Sequence, residues 1–352
     1  MSIEVIKNSK DQVVDCRLPI SLIIPFSGEI SDLEILITYI LDLDSKPSEV
    51  IIVDTNLSFE KQFIRIDKLL RGKNICFEKI DSPNSYPGKA RNLGALHSTN
   101  EIIAFLDVKT LPAQDWIING YKKLTENSFE LIWGQTFYKA DSIFEKAIRA
   151  STYGIKLLKT VPGSILYKNT FYKIGSFIET TRAGEDGEWI WRSQLININT
   201  CNNSSALTYS GLIGQNLFLI TKKWFRNYVA SYRLPHLRTQ KDIYFYFMSI
   251  VLLIIAFNWN NLSYDELIRG WDTNSWLYVP NITKISLGFI LIPYIFVRSV
   301  FLPLRKGAST IYLVAGNIFL IFLISFVLDL IKAVAFVVSK ISILLRFAHK
   351  NK

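Results

Sequence analysis

The sequence has few of the residues that build disulfide frameworks and metal centres. Among its 352 residues are three cysteines and three histidines. Cys16, Cys76 and Cys201 lie far apart and show no C-x-x-C spacing, which argues against both a disulfide framework and a zinc site. The histidines are equally scattered, so no histidine-based metal site is expected. We therefore expect free thiols, and a reducing compartment, for the N-terminal part of the chain.

A signal peptide and long apolar runs are absent from the first two thirds of the sequence. Residues 1–18 are polar and mixed in charge, unlike the apolar core of a secretory signal. After residue 240 come three apolar runs that approach or exceed the roughly 20 residues of a spanning helix. These runs are Ile243–Phe257, Ile285–Leu302 and Ile311–Val338. The first domain is therefore expected to stay in the cytoplasm, and the last third to enter a membrane.

The composition divides the chain into three regions. We predict a catalytic-type domain over residues 1–220, a basic interfacial helix or linker over 221–242, and a membrane region over 243–352. The membrane region is predicted to hold about three transmembrane or re-entrant helices. Near its end, Asp329 and Lys332 are one helical turn apart, and they either pair or mark a lipid-headgroup or partner site.

The net charge of +10 is the one bulk property that suggests a nucleic-acid partner. No RNA- or DNA-binding motif surrounds the basic residues, which lie beside the apolar runs and in a candidate phosphate site. Attraction to anionic lipid headgroups accounts for them more simply. We expect membrane lipids, and no nucleic acid, among the partners.

Short apolar runs alternate with amphipathic segments along the first domain. Ile20–Pro25, Glu49–Asp54 and Asn74–Ile80 have the length and composition of buried strands. Ser31–Leu43 and Phe59–Leu70, between them, carry apolar residues at helical spacing. This alternation predicts an α/β fold with a parallel sheet and helices on both faces.

Two carboxylates follow predicted strands, at the edge where ligands of such sheets bind. Asp54 ends one strand, and the chain alone favours a turn or helix N-cap residue over a ligand contact here. Asp107 ends another, within the stretch Pro87–Pro112. That stretch opens with a Pro-Gly pair, which predicts a turn, and continues as a short helix rich in small residues. Lys89 and Arg91 on this helix, near Asp107, suit a phosphorylated ligand.

A second cluster of chemically active residues lies about eighty residues later, in the segment Thr181–Arg192. Glu185 and Asp186 occupy a glycine-flanked turn, and Trp189 and Arg192 follow within two helical turns. Aromatic faces, carboxylates and arginines are the groups that bind sugars. The acidic pair alone is equally explained as the first turn of a helix.

Taken together, the two stretches resemble the family-2 glycosyltransferases, which have the GT-A fold. The first stretch carries A-R-N-x-G at Ala90–Gly94, then a strand, then Asp107 as the first letter of D-x-D. The second carries the family's G-x-F-x-E at Gly175–Glu179 and its E-D pair. One letter departs from the pattern, because the second Asp of D-x-D is Lys109. The resemblance covers roughly residues 18–215.

The resemblance implies a fold and a role for each matching residue. The fold is GT-A, a Rossmann-like, mostly parallel sheet with helices on both faces, here followed by C-terminal transmembrane helices. The implied general base is Asp186. The implied acceptor-binding residues are Glu185, Trp189 and Arg192, and the implied donor-binding residues are Pro25, Asp54, Lys89, Arg91, Asp107 and Lys109.

Lys109 leaves three alternatives for the diphosphate of a nucleotide-sugar donor. A divalent cation, Mg²⁺ or Mn²⁺, is held by Asp107 and the diphosphate itself. Alternatively, Lys109 replaces the cation and the site is metal-independent. In the third alternative the protein has lost activity. Because the other site residues are of the expected type, the sequence favours an active enzyme.

The resemblance implies an inverting glycosyltransferase that uses a nucleotide sugar to extend a polyprenyl-linked glycan for a cell-surface polysaccharide. The expected location is the inner (plasma) membrane, as a multi-pass protein with a cytoplasmic catalytic domain. Two alternatives remain: a polyprenyl-phosphate sugar synthase, and a non-catalytic membrane protein that binds a partner. The sequence leaves the nucleotide, the sugar, the acceptor linkage and the oligomeric state open.

Overall fold

The structure is a computed structural model of the full chain. It describes residues 17–57, 59–211, 217–238, 290–309 and 317–350, together with single positions between 242 and 253. Two thirds of the predicted apolar run 243–257 lies outside the described residues, as does the first part of the run that begins at residue 285.

Nine strands form one sheet. They are β1 (Arg17–Phe26), β2 (Lys46–Asp54), β3 (Cys76–Asp81), β4 (Ile102–Phe105), β5 (Thr110–Pro112), β6 (Leu131–Tyr138), β7 (Leu158–Tyr167), β8 (Thr200–Asn202) and β9 (Leu207–Tyr209).

Helices connect the strands and continue beyond the sheet. They are α1 (Ile30–Leu41), α2 (Glu60–Arg71), α3 (Pro87–His97), α4 (Trp116–Glu126), α5 (Ile143–Ser151), α6 (Lys168–Ile174), α7 (Glu185–Leu195), α8 (Leu217–Tyr232), α9 (Leu302–Arg305) and α10 (Asn317–Lys350).

The sheet has the order β3-β2-β1-β4-β7-β6-β9-β5, with β8 paired to β6. The first four strands along this order run parallel, while β7 is antiparallel to both β4 and β6. Five of the eight pairings are parallel, so the predicted mostly parallel sheet is present. The antiparallel β7 and the short strands β8 and β9 were not predicted.

Side chains of β1 alternate between two hydrophobic cores, one on each face of the sheet. Leu22 and Ile24 pack with α1, α2 and α4 on one face. Ile23 packs on the other face, in a core that contains Phe171 of α6 and Trp189 of α7. The prediction of helices on both faces is therefore confirmed.

Helix α3 begins earlier than the sequence suggested. Pro87 and Gly88, predicted as a turn, form its first helical residues. The first helical position has no intrahelical partner for its backbone N–H, so proline is well tolerated there. Gly88 approaches another segment closely, since a Cβ at this position would lie 2.3 Å from the carbonyl oxygen of Ile178.

One helix among the described residues is long and apolar enough to cross a membrane. This segment is Asn317–Ile343 of α10, with a mean hydropathy of 2.5. The several transmembrane helices that the sequence predicts reduce to this single candidate within the described residues. Part of it packs on the first domain: Ile321, Ile324 and Leu328 are buried against α5 and α8.

An ion cluster joins α10 to the preceding helical segment. Asp329, of which 6% is exposed, pairs with Arg298 at 2.8 Å and with Lys332 at 3.1 Å, and accepts a hydrogen bond from the Tyr294 hydroxyl at 3.0 Å. Arg298 lies in a π-helical turn, Val297–Phe301. The predicted pairing of Asp329 with Lys332 is confirmed, and Arg298 is an additional partner.

Candidate active site

Helix α3 is held against the sheet by its small residues. Ala90 is fully buried, and a Cβ at Gly94 would lie 2.3 Å from Cγ2 of Ile23. The side-chain amide of Asn92 donates to the carbonyl oxygen of Phe177 at 2.9 Å and accepts from its N–H at 2.8 Å. The A-R-N-x-G pattern therefore fixes the helix between the sheet and the G-x-F-x-E segment.

Arg91 joins the two sequence stretches into one site. Its guanidinium, of which 2% is exposed, pairs with Asp107 at 2.8 Å, with Glu185 at 3.2 Å and with Asp186 at 2.7 Å. Asp107 follows β4, whereas Glu185 and Asp186 begin α7 after Gly184, whose φ of +92° favours glycine. We call these four residues the Arg91 cluster. It holds one positive and three ionisable negative groups.

Burial and neighbouring charges shift the pKa values of the groups in the Arg91 cluster. Burial alone would lower the pKa of Arg91, but the charges of Asp186, Asp107 and Glu185 raise it overall. Burial also raises the pKa of Glu185, against the opposing effect of Arg91. Burial raises the pKa of Asp186 to about 7; Arg91 opposes this shift, and the charges of Glu185 and Asp107 add to it. A carboxylate with a pKa near 7 suits a general base at neutral pH.

Asp54 and Pro25 lie at the carboxyl ends of their strands. The Asp54 side chain is fully buried and accepts backbone hydrogen bonds from Asn56 at 2.9 Å and Leu57 at 3.3 Å. It also lies 3.5 Å from the Lys79 ammonium. In this structure Asp54 shapes the turn after β2, as the turn explanation predicted. Its role in binding the nucleotide-sugar donor remains a prediction.

Lys109 and Lys89 face different surroundings. The Lys109 ammonium lies 3.1 Å from a carboxylate oxygen of Asp32, in the first turn of α1, and 44% of its side chain is exposed. Asp32 was not predicted, because no sequence spacing links it to Lys109. Lys89 is exposed on α3, and its role in donor binding remains a prediction.

Two of the predicted acceptor residues have structural roles here. Trp189 is fully buried, stacks on Phe177 and donates its indole N–H to the carbonyl oxygen of Gly175 at 2.9 Å. Arg192 pairs with Glu188 at 2.6 Å and donates to the backbone carbonyl oxygens of Ile174, the last residue of α6, and of Ser176 in the loop that follows. A sugar would reach the Trp189 ring only by displacing core residues, and the acceptor-binding roles of Trp189 and Arg192 remain predictions.

An aromatic row that the sequence analysis missed leads from the site towards α10. Ring centroids of Tyr209 and Tyr138 are 5.0 Å apart, those of Tyr138 and Tyr153 are 3.9 Å apart and stacked, and those of Tyr153 and Trp224 are 6.1 Å apart. The Lys332 ammonium lies 5.6 Å from the Trp224 ring. The four aromatic residues come from β9, β6, the turn after α5 and α8, so only the folded chain reveals the row.

The described residues contain no group of three metal-ligating side chains. Asp107 supplies one carboxylate, and one of its oxygens already accepts from Arg91. A cation at this position would therefore take most of its ligands from the diphosphate of the donor. The protein therefore offers such a cation fewer ligands than the two carboxylates of a D-x-D motif would.

Comparison with known proteins agrees with this geometry. Residues 21–185 match the family model described as Glycosyl transferase family 2. None of the curated proteins compared with the sequence matches it.

Several solved structures are similar to the chain. One is the mannosyltransferase PcManGT from Pyrobaculum calidifontis in complex with GDP-Man and Mn²⁺, with 14% identity and a TM-score of 0.45; the match covers 62% of this chain and 64% of that one. Another is residues 1–349 of TarS from S. aureus, with 15% identity, a TM-score of 0.45, and coverage of 87% and 90%. A third, GalNAc-T7 with UDP, GalNAc and Mn²⁺, has 11% identity, a TM-score of 0.42, and coverage of 56% and 44%.

The match spans the first parallel strands, the antiparallel β7 and the start of α7. It therefore contains Arg91 and Asp107 and ends at Glu185, the residue before Asp186. The mixed sheet with helices on both faces is GT-A-like. Residues 21–185, a little under half of the chain, are thus similar to glycosyl transferase family 2.

Proposed function

We propose that the protein is an inverting glycosyltransferase that moves a sugar from a nucleotide-sugar donor to a polyprenyl-linked glycan in cell-surface polysaccharide synthesis. The observation that carries this proposal is the Arg91 cluster. It brings the donor-side carboxylate, Asp107, and the E-D pair on α7 within reach of a single guanidinium. A donor and an acceptor bound on the two sides of this cluster would meet at Asp186.

Asp186 is the proposed general base. Its side chain is 35% exposed, and its raised pKa lets it take a proton from an acceptor hydroxyl near neutral pH. The acceptor oxygen would then attack the anomeric carbon as the bond to the diphosphate breaks. A single displacement of this kind inverts the anomeric centre. Glu185, only 7% exposed, fits a positioning role beside the base better than a broad acceptor contact.

The leaving diphosphate needs positive charge, and two sources fit the site. One is Mg²⁺ or Mn²⁺ held by Asp107 and the diphosphate; the other is Lys109 in a metal-independent site. The cation, when bound, would neutralise charge on the diphosphate. Lys109 follows Asp107 by two residues and its ammonium is partly exposed, so both sources would act on the same phosphate groups.

The membrane part of the proposal rests on α10 and on the basic, aromatic helix α8. The 27-residue apolar segment of α10 can anchor the domain, and Trp224 of α8 packs in the same cluster. We place the protein in the inner (plasma) membrane as a multi-pass protein with its catalytic domain in the cytoplasm. An acceptor with a polyprenyl tail would then reach Asp186 from the membrane side.

The test supplies the purified protein in lipid with a panel of nucleotide sugars and polyprenyl-linked acceptors. Mass spectrometry should detect one acceptor product whose mass has increased by a single sugar, and its anomeric configuration should be opposite to that of the donor. Absence of any product across the panel, with nucleotide binding intact, would count against the acceptor class. Retention of configuration would overturn the inverting mechanism.

Two other functions predict different results. A polyprenyl-phosphate sugar synthase uses a phosphate as acceptor and has little need for a strong base, so Asp186→Asn would leave its turnover nearly normal. A non-catalytic partner-binding protein would bind no nucleotide in calorimetry while remaining folded. The partly exposed carboxylate of Asp186, next to Asp107 in the Arg91 cluster, supports the hydroxyl acceptor, because that acceptor needs a base.

A further inference from the structure

A second lysine lies next to Lys109, from a helix outside the family match. The Lys223 ammonium, on α8, lies 3.4 Å from the Tyr209 hydroxyl. A Cβ on Gly211 would lie 2.6 Å from that hydroxyl and 2.8 Å from Cδ of Lys109. Gly211 therefore lies between the Tyr209 hydroxyl, which Lys223 contacts, and the side chain of Lys109, although the two lysines are more than one hundred residues apart in sequence.

Helix α8 also touches the catalytic turn. A Cβ on Gly184 would lie 2.8 Å from Cβ of Ser231, near the end of α8, and the Thr181 hydroxyl lies 3.4 Å from the carbonyl oxygen of Ala230. The helix thus runs from Lys109 on the donor side to the turn that carries Asp186. Helix α8 therefore forms one wall of the site, and Lys223 lies on this wall, towards the donor side.

The positive charges on this wall have few counterions. Within the part of the chain that the structure describes, no carboxylate lies within ion-pair distance of Lys223 or Arg226, and Asp32 is the partner of Lys109. Burial, followed by the charges of Lys109 and Arg226, lowers the pKa of Lys223. A bound anion would relieve this repulsion, because it would supply the missing negative charge.

We propose that Lys109 and Lys223 together bind the diphosphate of the nucleotide-sugar donor, with the Lys223 ammonium held beside the Tyr209 hydroxyl. This inference rests on the proposed function. It places Lys109 in a two-lysine diphosphate clamp, in which Lys223 comes from a helix that the sequence analysis interpreted as interfacial. The clamp supplies at least part of the positive charge that a metal ion, held by a second aspartate, would bring to the diphosphate. Asp32 orients Lys109 and leaves two of its ammonium protons available.

The test measures binding of UDP, GDP and CDP, with inorganic diphosphate as a base-free probe, by calorimetry on the full chain in lipid. In EDTA, at least one nucleoside diphosphate should bind. Lys223→Met and Lys109→Met should each weaken that binding about 10- to 100-fold, as expected for loss of a charge-assisted hydrogen bond. Lys222→Met, which removes an exposed lysine on the same helix, should change it less than about twofold.

Two further variants sharpen the result. Lys223→Arg keeps the charge and should retain most of the affinity. Lys109→Asp restores the D-x-D pattern, so its binding should disappear in EDTA and return with Mn²⁺. Unchanged thermal unfolding of each variant excludes misfolding as the cause.

The outcomes separate the clamp from the proposed function. Wild-type affinity in both methionine variants, or binding that requires Mn²⁺ or Mg²⁺ throughout, would overturn the clamp and leave a glycosyltransferase with a bound metal. Failure of every nucleoside diphosphate to bind, with or without metal, would overturn the proposed function as well.

Discussion

The protein contains two ion clusters of opposite composition. In the Arg91 cluster, one buried cation faces three carboxylates. In the cluster around Asp329, one buried carboxylate faces two cations, Arg298 and Lys332. The first lies at the edge of the sheet, and the second lies where α10 packs against the preceding helical segment.

The difference shows how the same interaction serves two purposes. In the Arg91 cluster, burial raises the pKa of Asp186 and the charges of Glu185 and Asp107 add to the shift. This carboxylate can therefore take up a proton near neutral pH, which is useful at a reaction site. In the cluster around Asp329, the single carboxylate is paired with two cations. Its partners instead fix the packing of two apolar helices, with the Tyr294 hydroxyl as a third contact.

Removal of Arg91 should have the largest effect, because it leaves three neighbouring carboxylates without their shared partner. We expect Arg91→Met to lower the free energy of unfolding by about 3–5 kcal/mol and to abolish sugar transfer. Urea unfolding followed by tryptophan fluorescence measures the first effect. Lys89→Met, on the exposed side of the same helix, is the matched control and should change stability by less than about 0.5 kcal/mol.

Replacement of the proposed base tests the site without removing its central cation. Asp186→Asn should lower kcat by a factor of about 10²–10⁴, while nucleotide affinity stays within a fewfold of the original. Single-turnover rates and calorimetry measure the two quantities separately. An equal loss in both would show that Asp186 acts mainly in binding.

Substitutions in the ion cluster around Asp329 should lower the stability of the protein without changing nucleotide binding. Asp329→Asn leaves Arg298 and Lys332 without a negative partner, and we expect a loss of about 3 kcal/mol in the stability of the protein in lipid. Lys332→Met should cost less, because Arg298 still pairs with Asp329. Thermal unfolding in lipid measures both variants, and nucleotide binding at low temperature should remain unchanged. If Lys332→Met were the more damaging variant, Lys332 would have a further partner in lipid or acceptor.

The smallest expected effect is a shift in pH dependence. Asp186 must be deprotonated to act as a base, so kcat/KM should rise as the pH increases through about 7. Glu185→Gln removes a neighbouring negative charge, which should lower the pKa of Asp186 and move this rise to lower pH. A control, Glu60→Gln on the exposed surface of α2, should leave the profile in place. A rise near pH 4 in the unmodified protein would contradict the assignment of Asp186.

The sequence predicted the elements whose signal is local. The alternation of short strands with helices, the delivery of Asp107 by β4 and the start of α7 at the E-D pair all follow from patterns within about ten residues. The antiparallel β7 and the short strands β8 and β9 depend on pairings between distant segments, which no periodicity reveals. The interior position of Trp189 has the same origin, because its partners Trp133 and Phe177 lie on other elements.

The sequence predicted the individual residues of the site but not the contacts between them. Motif spacing identified Arg91, Asp107, Glu185 and Asp186 separately, and only the fold shows one guanidinium contacting three carboxylates. Lys223 was hidden for a different reason. Its basic and aromatic surroundings are typical of an interfacial helix, and this interpretation does not indicate which face of the helix meets the domain.

The packing of α10 on the first domain matters to anyone who wishes to prepare a water-soluble version of the protein. Cutting the chain before residue 317 would remove Ile321, Ile324 and Leu328 and uncover the apolar faces of α5 and α8 that they cover. The shortened protein would lose the exposed apolar face of α10 but would expose the apolar faces of α5 and α8 instead, and it would tend to aggregate. Replacing the outward-facing residues of α10, such as Phe319 and Leu330, with polar ones would keep the inner face covered and is the better route to solubility.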